Sequence, residues 1–210
     1  MGHLRDTGVV PSSINMTISG AIDQLQATRE ALAANYAVAI VIIYLLLVAI
    51  FTHWGYPLLI MTTIPLGVAG GILGLWLFNL GGAWLPLIGM SELHLGFDMI
   101  AMLGFLILMG TVVNNPILIV HQAMTNVRDK SMNAMEAVRH AVDARLRPIA
   151  MSTLTTVFGL APLVFLAGEG TELYRGVGVI VMFGLLGTAL VSLTFLPALT
   201  VLILKISRPD

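Results

Sequence analysis

The polar residues best placed to do chemistry in this chain lie in two of its most apolar stretches. Asn114 and Asn115 are adjacent within the apolar segment 99–120. Polar groups in segments of this kind are costly to place in lipid and therefore mark candidate functional sites. The two amides could join helices by hydrogen bonds or line a proton or ion path. Both interpretations stay open, because an asparagine side chain does not titrate and cannot itself carry a proton.

The second polar set opens the apolar segment 148–167. Arg145 precedes that segment, and a stripe of hydroxyl side chains follows, comprising Ser152, Thr153, Thr155 and Thr156. Hydroxyls three and four residues apart share one face of a helix, where they bond to the backbone or to a neighbour. Arg145 is close enough to the segment's end for its guanidinium to reach the membrane surface. Neither segment contains a carboxylate. A titrating partner for these groups would therefore have to come from elsewhere.

Several kinds of site are not predicted. The chain contains 0 Cys, which excludes disulfides, thiolate metal ligands and a cysteine nucleophile. No histidine pair has metal-ligand spacing, and no glycine-rich nucleotide loop ending in Lys-Ser or Lys-Thr occurs. The 12 Met residues are interpreted as flexible packing groups. The sequence thus predicts neither an enzyme nor a metal protein.

Composition predicts an integral membrane protein. The 210 residues are 58% hydrophobic and 10% charged, whereas a soluble domain is about 25% charged. A membrane-crossing helix needs about 20 mostly apolar residues. Five segments meet that requirement, at 31–51, 57–80, 99–120, 148–167 and 177–206. The fold class predicted is therefore an all-α membrane domain over 31–206. The net charge of −1 gives no support for nucleic acid as a partner.

Lysine and arginine residues predict the orientation of the spans. The connection between the third and fourth spans contains five of them, Arg128, Lys130, Arg139, Arg145 and Arg147, whereas 81–98 contains none. Because basic loops stay inside, this connection and the tail 207–210 are expected to be cytoplasmic. Five spans then place residues 1–30 outside. Residues 1–19 lack the basic start and apolar middle of a signal peptide. We therefore expect further spans and an external domain upstream.

Three further elements are expected outside or beside the spans. Strict alternation over 14–19 predicts one strand of an external sheet, and helical spacing from Asp23 leads into the first span. An apolar stripe predicts a separate cytoplasmic surface helix over 131–146, capped by Ser131. Four glycines in the second span, at Gly67, Gly70, Gly71 and Gly74, predict close helix packing rather than a substrate hinge.

Four stretches make a family recognisable. They are HWGYP at 53–57 followed by IPLGV at 64–68, GTVVNNPILIV at 110–120, EAV at 136–138 through RLRPI at 145–149, and FLPAL at 195–199. Their order and spacing resemble the resistance-nodulation-division (RND) permeases, in particular the branch of multidrug pumps that exports hydrophobic and amphiphilic compounds. Pro116 departs from the usual alanine, and 81–98 is longer than is usual in the family.

The resemblance implies a fold and a set of partners. Such permeases have twelve transmembrane helices and two large periplasmic regions, and they form trimers in the bacterial inner membrane. This chain would supply the end of the periplasmic porter region and helices eight to twelve. Its partners would be the N-terminal half of the permease, two further copies, membrane lipid, a periplasmic adaptor and an outer-membrane channel. The proton gradient would supply the energy, without a bound cofactor.

The resemblance also assigns roles to four residues. In these pumps an aspartate pair of the fourth helix works with a lysine of the tenth and with an arginine and a hydroxyl of the eleventh. The matching positions here are Asn114, beside Asn115, and then Arg145 and Ser152. The implied function is proton-coupled export of xenobiotics. Two alternatives remain open, namely a truncated product without transport of its own and a related lipid-exporting or protein-secretion protein. The sequence does not specify the substrate.

Overall fold

The computed structural model describes residues 21–82, 95–166 and 168–207, and all seven elements in those ranges are α-helices. They are α1 (Ala21–Phe51), α2 (Gly55–Met61), α3 (Thr63–Gly82), α4 (Met99–Val112), α5 (Asn114–Asp129), α6 (Ala134–Phe165) and α7 (Glu169–Ser207). Within them, five stretches are long and apolar enough to cross a membrane. The predicted class, an all-α membrane protein with five spans, is confirmed. The predicted strand at 14–19 lies outside the described residues.

Contacts divide the chain into two units, Met1–Asn35 and Tyr36–Asp210. The described residues of the first unit form the beginning of α1. In the second unit α7 is the central helix, since α3, α4, α5 and α6 all pack against it. The main core of this unit joins side chains from α1 through α7, among them the fully buried Leu47, Leu108 and Leu196.

Two prolines explain where two of the predicted spans are interrupted. The second span is divided between α2 and α3 at Thr62, and the third between α4 and α5 at Val113. Proline has no N–H for the carbonyl four residues earlier, and its ring crowds that carbonyl. Pro65 and Pro116 each stand four residues after the last residue of a helix. Pro116 thus places the Asn114–Asn115 pair at the start of a new helix.

Glycines allow α3 to lie directly against α7. A Cβ atom added at Gly67 would lie 2.7 Å from Oγ1 of Thr188, and one added at Gly70 would lie 3.4 Å from Cα of Gly187. A Cβ atom at Gly71 would lie 3.1 Å from the carbonyl oxygen of Ile180. At Gly74 it would overlap the side chain of Phe183. Small residues of this kind let helix backbones approach closely, which in lipid is a principal source of association.

The sixth helix differs from the sequence prediction. A surface helix over 131–146 and a separate span over 148–167 were expected, but α6 is one continuous helix with Pro148 inside it. Its early apolar residues are not left for lipid, because Ala137, Val138 and Ala141 are buried in the protein. Amphipathic spacing alone does not distinguish a helix face that meets lipid from one that meets a neighbouring helix. The prediction of two helices was wrong for this reason.

The cap of α6 also differs from expectation. Asn133, rather than Ser131, is the N-cap, and its side chain accepts a hydrogen bond of 2.9 Å from the backbone N–H of Glu136. Ser131 instead has a φ of 52°, in the left-handed region, and belongs to the turn before the helix.

A second capping side chain begins α4. Asp98 has an extended backbone, and its Oδ1 accepts a hydrogen bond of 2.7 Å from the N–H of Ala101. Replacing Asp98 by alanine removes that acceptor, and we expect the free energy of unfolding to fall by about 1 kcal/mol. Denaturant titration of the purified protein would measure this change. Asp98→Asn, which keeps an acceptor, should restore most of the loss, and equal stability of the alanine variant would contradict the prediction.

Candidate functional site

The four residues matched to the relay lie on two adjacent helices. Asn114 and Asn115 form the first turn of α5, and Arg145 and Ser152 lie on α6. These two helices pack against each other. Asn114 and Ser152 are exposed, whereas Asn115 and Arg145 are half-buried. The helix pair therefore carries both predicted polar sets.

Arg145 is held by a glutamine that the sequence analysis did not single out. Its Nη2 donates a hydrogen bond of 2.9 Å to Oε1 of Gln122 on α5. Gln122 in turn donates through Nε2 to Oδ1 of Asn126, at 3.3 Å. This series of amide contacts fixes the guanidinium against α5. Arg145 is thus directed into the helix pair instead of extending to the membrane surface, as its sequence position also allowed.

Asn126 anchors the series. Its side chain is fully buried, and its Nδ2 donates a hydrogen bond of 3.0 Å to the carbonyl oxygen of Ala137 on α6. Its own carbonyl oxygen accepts from the N–H groups of Lys130 and Met132, at 3.3 and 3.4 Å. One residue therefore ties the end of α5, the connecting turn and the start of α6 together. A buried amide with its hydrogen bonds made gives this junction a specific geometry.

The guanidinium of Arg145 keeps an unused donor. Its Nε is buried and has no hydrogen-bond partner among the described residues. An unpaired buried donor costs about 1–3 kcal/mol, more when the group is charged. A cation in this position favours an acidic or other acceptor group beside it. The described residues therefore do not fully satisfy the hydrogen-bonding capacity of the Arg145 guanidinium.

The described residues do not join the four predicted side chains to one another by hydrogen bonds. The hydroxyl of Ser152 donates to the carbonyl oxygen of Ile149, at 3.1 Å, within its own helix. Thr155 and Thr156 likewise bond to carbonyls one turn earlier, at 2.8 and 2.9 Å. These three hydroxyls thus bond within α6, where Ser152 and Thr155 are exposed, whereas Thr153 of the same stripe is buried.

A buried arginine at the opposite end of α6 was also missed by the sequence analysis. Arg175 near the start of α7 is only 5% exposed, and its Nη2 donates to the carbonyl oxygen of Leu166 at 3.1 Å. A cation at the C-terminal end of a helix interacts favourably with the helix dipole. Arg175 stands two residues before the predicted start of the fifth span at 177, so it was not considered among the intramembrane polar groups.

The described residues contain no group of three or more His, Asp or Glu side chains that could hold a metal ion. The site is instead one of amides, hydroxyls and a guanidinium. Such groups can orient and stabilise a charge. Transfer of a proton through the site would need a titrating partner in addition.

Comparison with protein families identifies the family of the chain that contains this helix pair. The model of the AcrB/AcrD/AcrF family matches residues 3–204, nearly the whole sequence. The chain belongs to this family. It is thus an RND efflux permease sequence, as the four stretches indicated.

Individual relatives agree with this membership. The multidrug resistance protein MdtC of Proteus mirabilis is 32% identical over 188 residues, which cover 90% of this chain and 17% of that protein. MdtC of Pantoea ananatis is 30% identical over 199 residues, or 95% of this chain and 18% of that protein. A crystal structure of a heavy metal efflux pump aligns with a TM-score of 0.71 and 26% identity, covering 98% of this chain and 19% of that one. The chain spans less than one fifth of each of these proteins.

Proposed function

We propose that this chain supplies the C-terminal membrane helices of a proton-driven efflux permease that exports hydrophobic or amphiphilic compounds. Family membership supports a role in efflux, and the multidrug resistance relatives favour such substrates. The five helices that are long and apolar enough to cross a membrane would be helices eight to twelve of the family's architecture. No reaction chemistry is needed, because transport of this kind moves a proton and a substrate in opposite directions.

The observation that carries the coupling proposal is the state of Arg145. A guanidinium on a membrane helix is half-buried, fixed on one side by Gln122, and left with an unpaired buried Nε. A carboxylate from another part of the permease would complete its contacts. Protonation of that carboxylate would weaken the contact, so the strength with which Arg145 is held would depend on the protonation state of the acid. Asn114 and Asn115 would hydrogen-bond an acid of the relay without pairing with it ionically.

The proposal includes a location and partners. The basic connection between α5 and α6 supports a cytoplasmic location for this end of the bundle, and the start of α1 would then lie on the periplasmic side. A homotrimer in the inner membrane, joined to a periplasmic adaptor and an outer-membrane channel, would complete the export path. The polar residues Asn114, Asn115, Arg145 and Ser152 would form this chain's part of the proton relay.

A chimaeric permease tests the proposal. Residues 3–204 of this chain would replace the matching segment of the Proteus mirabilis relative, in cells that lack their own efflux pumps. We expect the chimaera to raise resistance to hydrophobic drugs, because the helices supply the missing part of the relay. Drug export from these cells should stop when a protonophore collapses the proton gradient.

The controls separate the parts of the proposal. The 210-residue chain expressed alone should give no resistance, and resistance from it would contradict the idea that it works as part of a larger permease. Membrane fractionation and crosslinking establish that the chimaera inserts and assembles. An assembled chimaera without drug export would overturn the efflux role, and export that survives the protonophore would overturn proton coupling.

A further inference from the structure

Two cavities join along one side of the bundle, between the start of α6 and the end of α7. The first has a volume of about 500 Å³ and lies beside Asn133, Met135 and Lys205. The second has a volume of about 520 Å³ and continues between Val142 of α6 and Leu193 of α7. Met135 lines both cavities, so they adjoin at that residue, and we call the pair the Lys205 groove.

The two ends of the Lys205 groove differ in chemistry. Lys205 is exposed at one end, where it is the single charged residue that lines the first cavity. The second cavity has apolar walls along α7, formed by Leu193, Pro197 and Val201. Its rim on α6 carries one cation and one anion, Arg139 and Asp143. The groove therefore has a net positive charge and a long apolar floor.

We propose that the Lys205 groove binds an anionic phospholipid of the surrounding membrane. The acyl chain would lie on the apolar residues between α6 and α7, and the phosphate would contact the ammonium group of Lys205. Basic pockets between transmembrane helices are suited to acidic headgroups, and apolar side chains at membrane depth suit lipid tails. The charge selects an anionic lipid over a zwitterionic one.

The length of the groove agrees with this occupant. From Leu193 to Lys205 the chain advances 12 residues of α7, or about 18 Å along the helix axis at 1.5 Å per residue. An acyl chain extends over a comparable distance within one leaflet, which is about 15 Å of a 30 Å hydrocarbon core. In the proposed orientation the lipid belongs to the cytoplasmic leaflet, but its binding does not depend on the efflux function.

Native mass spectrometry of the purified 210-residue chain tests the proposal. The protein would be stripped of lipid in a neutral detergent and mixed with phosphatidylglycerol or phosphatidylcholine of identical acyl chains. We expect the phosphatidylglycerol complex to be retained about fivefold more strongly, the factor expected from one basic residue near an anionic headgroup. Equal retention of the two lipids would overturn the proposal.

Matched variants separate a specific groove from general surface charge. Lys205→Gln should remove the preference for phosphatidylglycerol, whereas Lys130→Gln, an exposed lysine outside the groove lining, should keep it. Equal effects of the two substitutions would overturn the headgroup assignment. Circular dichroism would verify that each variant keeps its helical content.

A second pair of variants tests the acyl-chain part of the groove. Ala198→Phe fills the apolar floor and should weaken both lipid complexes. Leu202 is exposed and lies outside the lining, so Leu202→Phe should leave both complexes unchanged. Unchanged lipid retention in Ala198→Phe would overturn the assignment of the tail. If that variant instead separates a dimer while lipid retention persists, the groove binds a second copy of this chain and the lipid proposal fails.

Discussion

Replacing Gly74 by alanine is expected to lower the free energy of unfolding by about 1–3 kcal/mol, the usual cost of forcing an added group into a packed interface. The new methyl group would overlap Cβ and the ring of Phe183 on α7. A Cβ atom cannot move aside without moving its backbone, so α3 and α7 would have to separate. Thermal or detergent-induced unfolding of the purified chain, followed by circular dichroism, would measure the loss.

Gly110→Ala supplies the matched control for this prediction. Gly110 also lies in an apolar helix, two residues before the end of α4, but a Cβ atom there would meet nothing within 4 Å. The substitution should be neutral, or stabilising by up to about 1 kcal/mol from helix propensity. If both alanine variants unfold alike, the close approach of α3 and α7 is not what Gly74 provides.

The helical class could be predicted because hydropathy reports the solvent of a helix directly. In lipid, the backbone N–H and C=O groups of the five apolar runs must form their hydrogen bonds within the protein. Only helices achieve that within a single segment. The positions of the interruptions were harder to predict. Pro65 and Pro197 look equivalent in the sequence, yet α3 begins just before Pro65 whereas α7 continues through Pro197. Packing around each proline decides whether the helix is interrupted there, and the spacing of residues in the sequence does not reveal that packing.

The candidate site was predicted only in part, for a related reason. Asn114, Asn115, Arg145 and Ser152 were found through their polarity and their motifs, but the residue that holds Arg145 was not. Gln122 lies two residues beyond the predicted end of the third span at 120. The helix continues to Asp129, so Gln122 and Asn126 fall one turn apart on the same face. That i, i+4 amide pair was the available signal, and it becomes visible only once the helix is known to continue.

Arg145→Ala is expected to reduce proton-driven export by more than about tenfold, in the chimaeric permease proposed above. In the proposal Arg145 pairs with an acid of the relay, and truncating one member of such a charge pair costs about 2 kcal/mol or more. Each 1.4 kcal/mol corresponds to about tenfold in rate if it is lost from the transport barrier. The measurement is the initial rate of drug export from proteoliposomes after an imposed pH difference. Arg147→Ala is the control, since Arg147 has the same charge on the same helix but is exposed.

A substitution at Gln122 tests whether Arg145 must be free to change partners. Gln122→Glu would place a carboxylate where Oε1 now accepts from Nη2 at 2.9 Å. A charged hydrogen bond there is stronger than the present one, so it should hold the guanidinium against α5 and compete with any acid of the relay. We expect slower export with an assembled, stable protein, and a smaller loss for Gln122→Ala. Export at the original rate in Gln122→Glu would mean that Arg145 fixes the helices in place without taking part in coupling, because a permanently paired arginine could not respond to a proton.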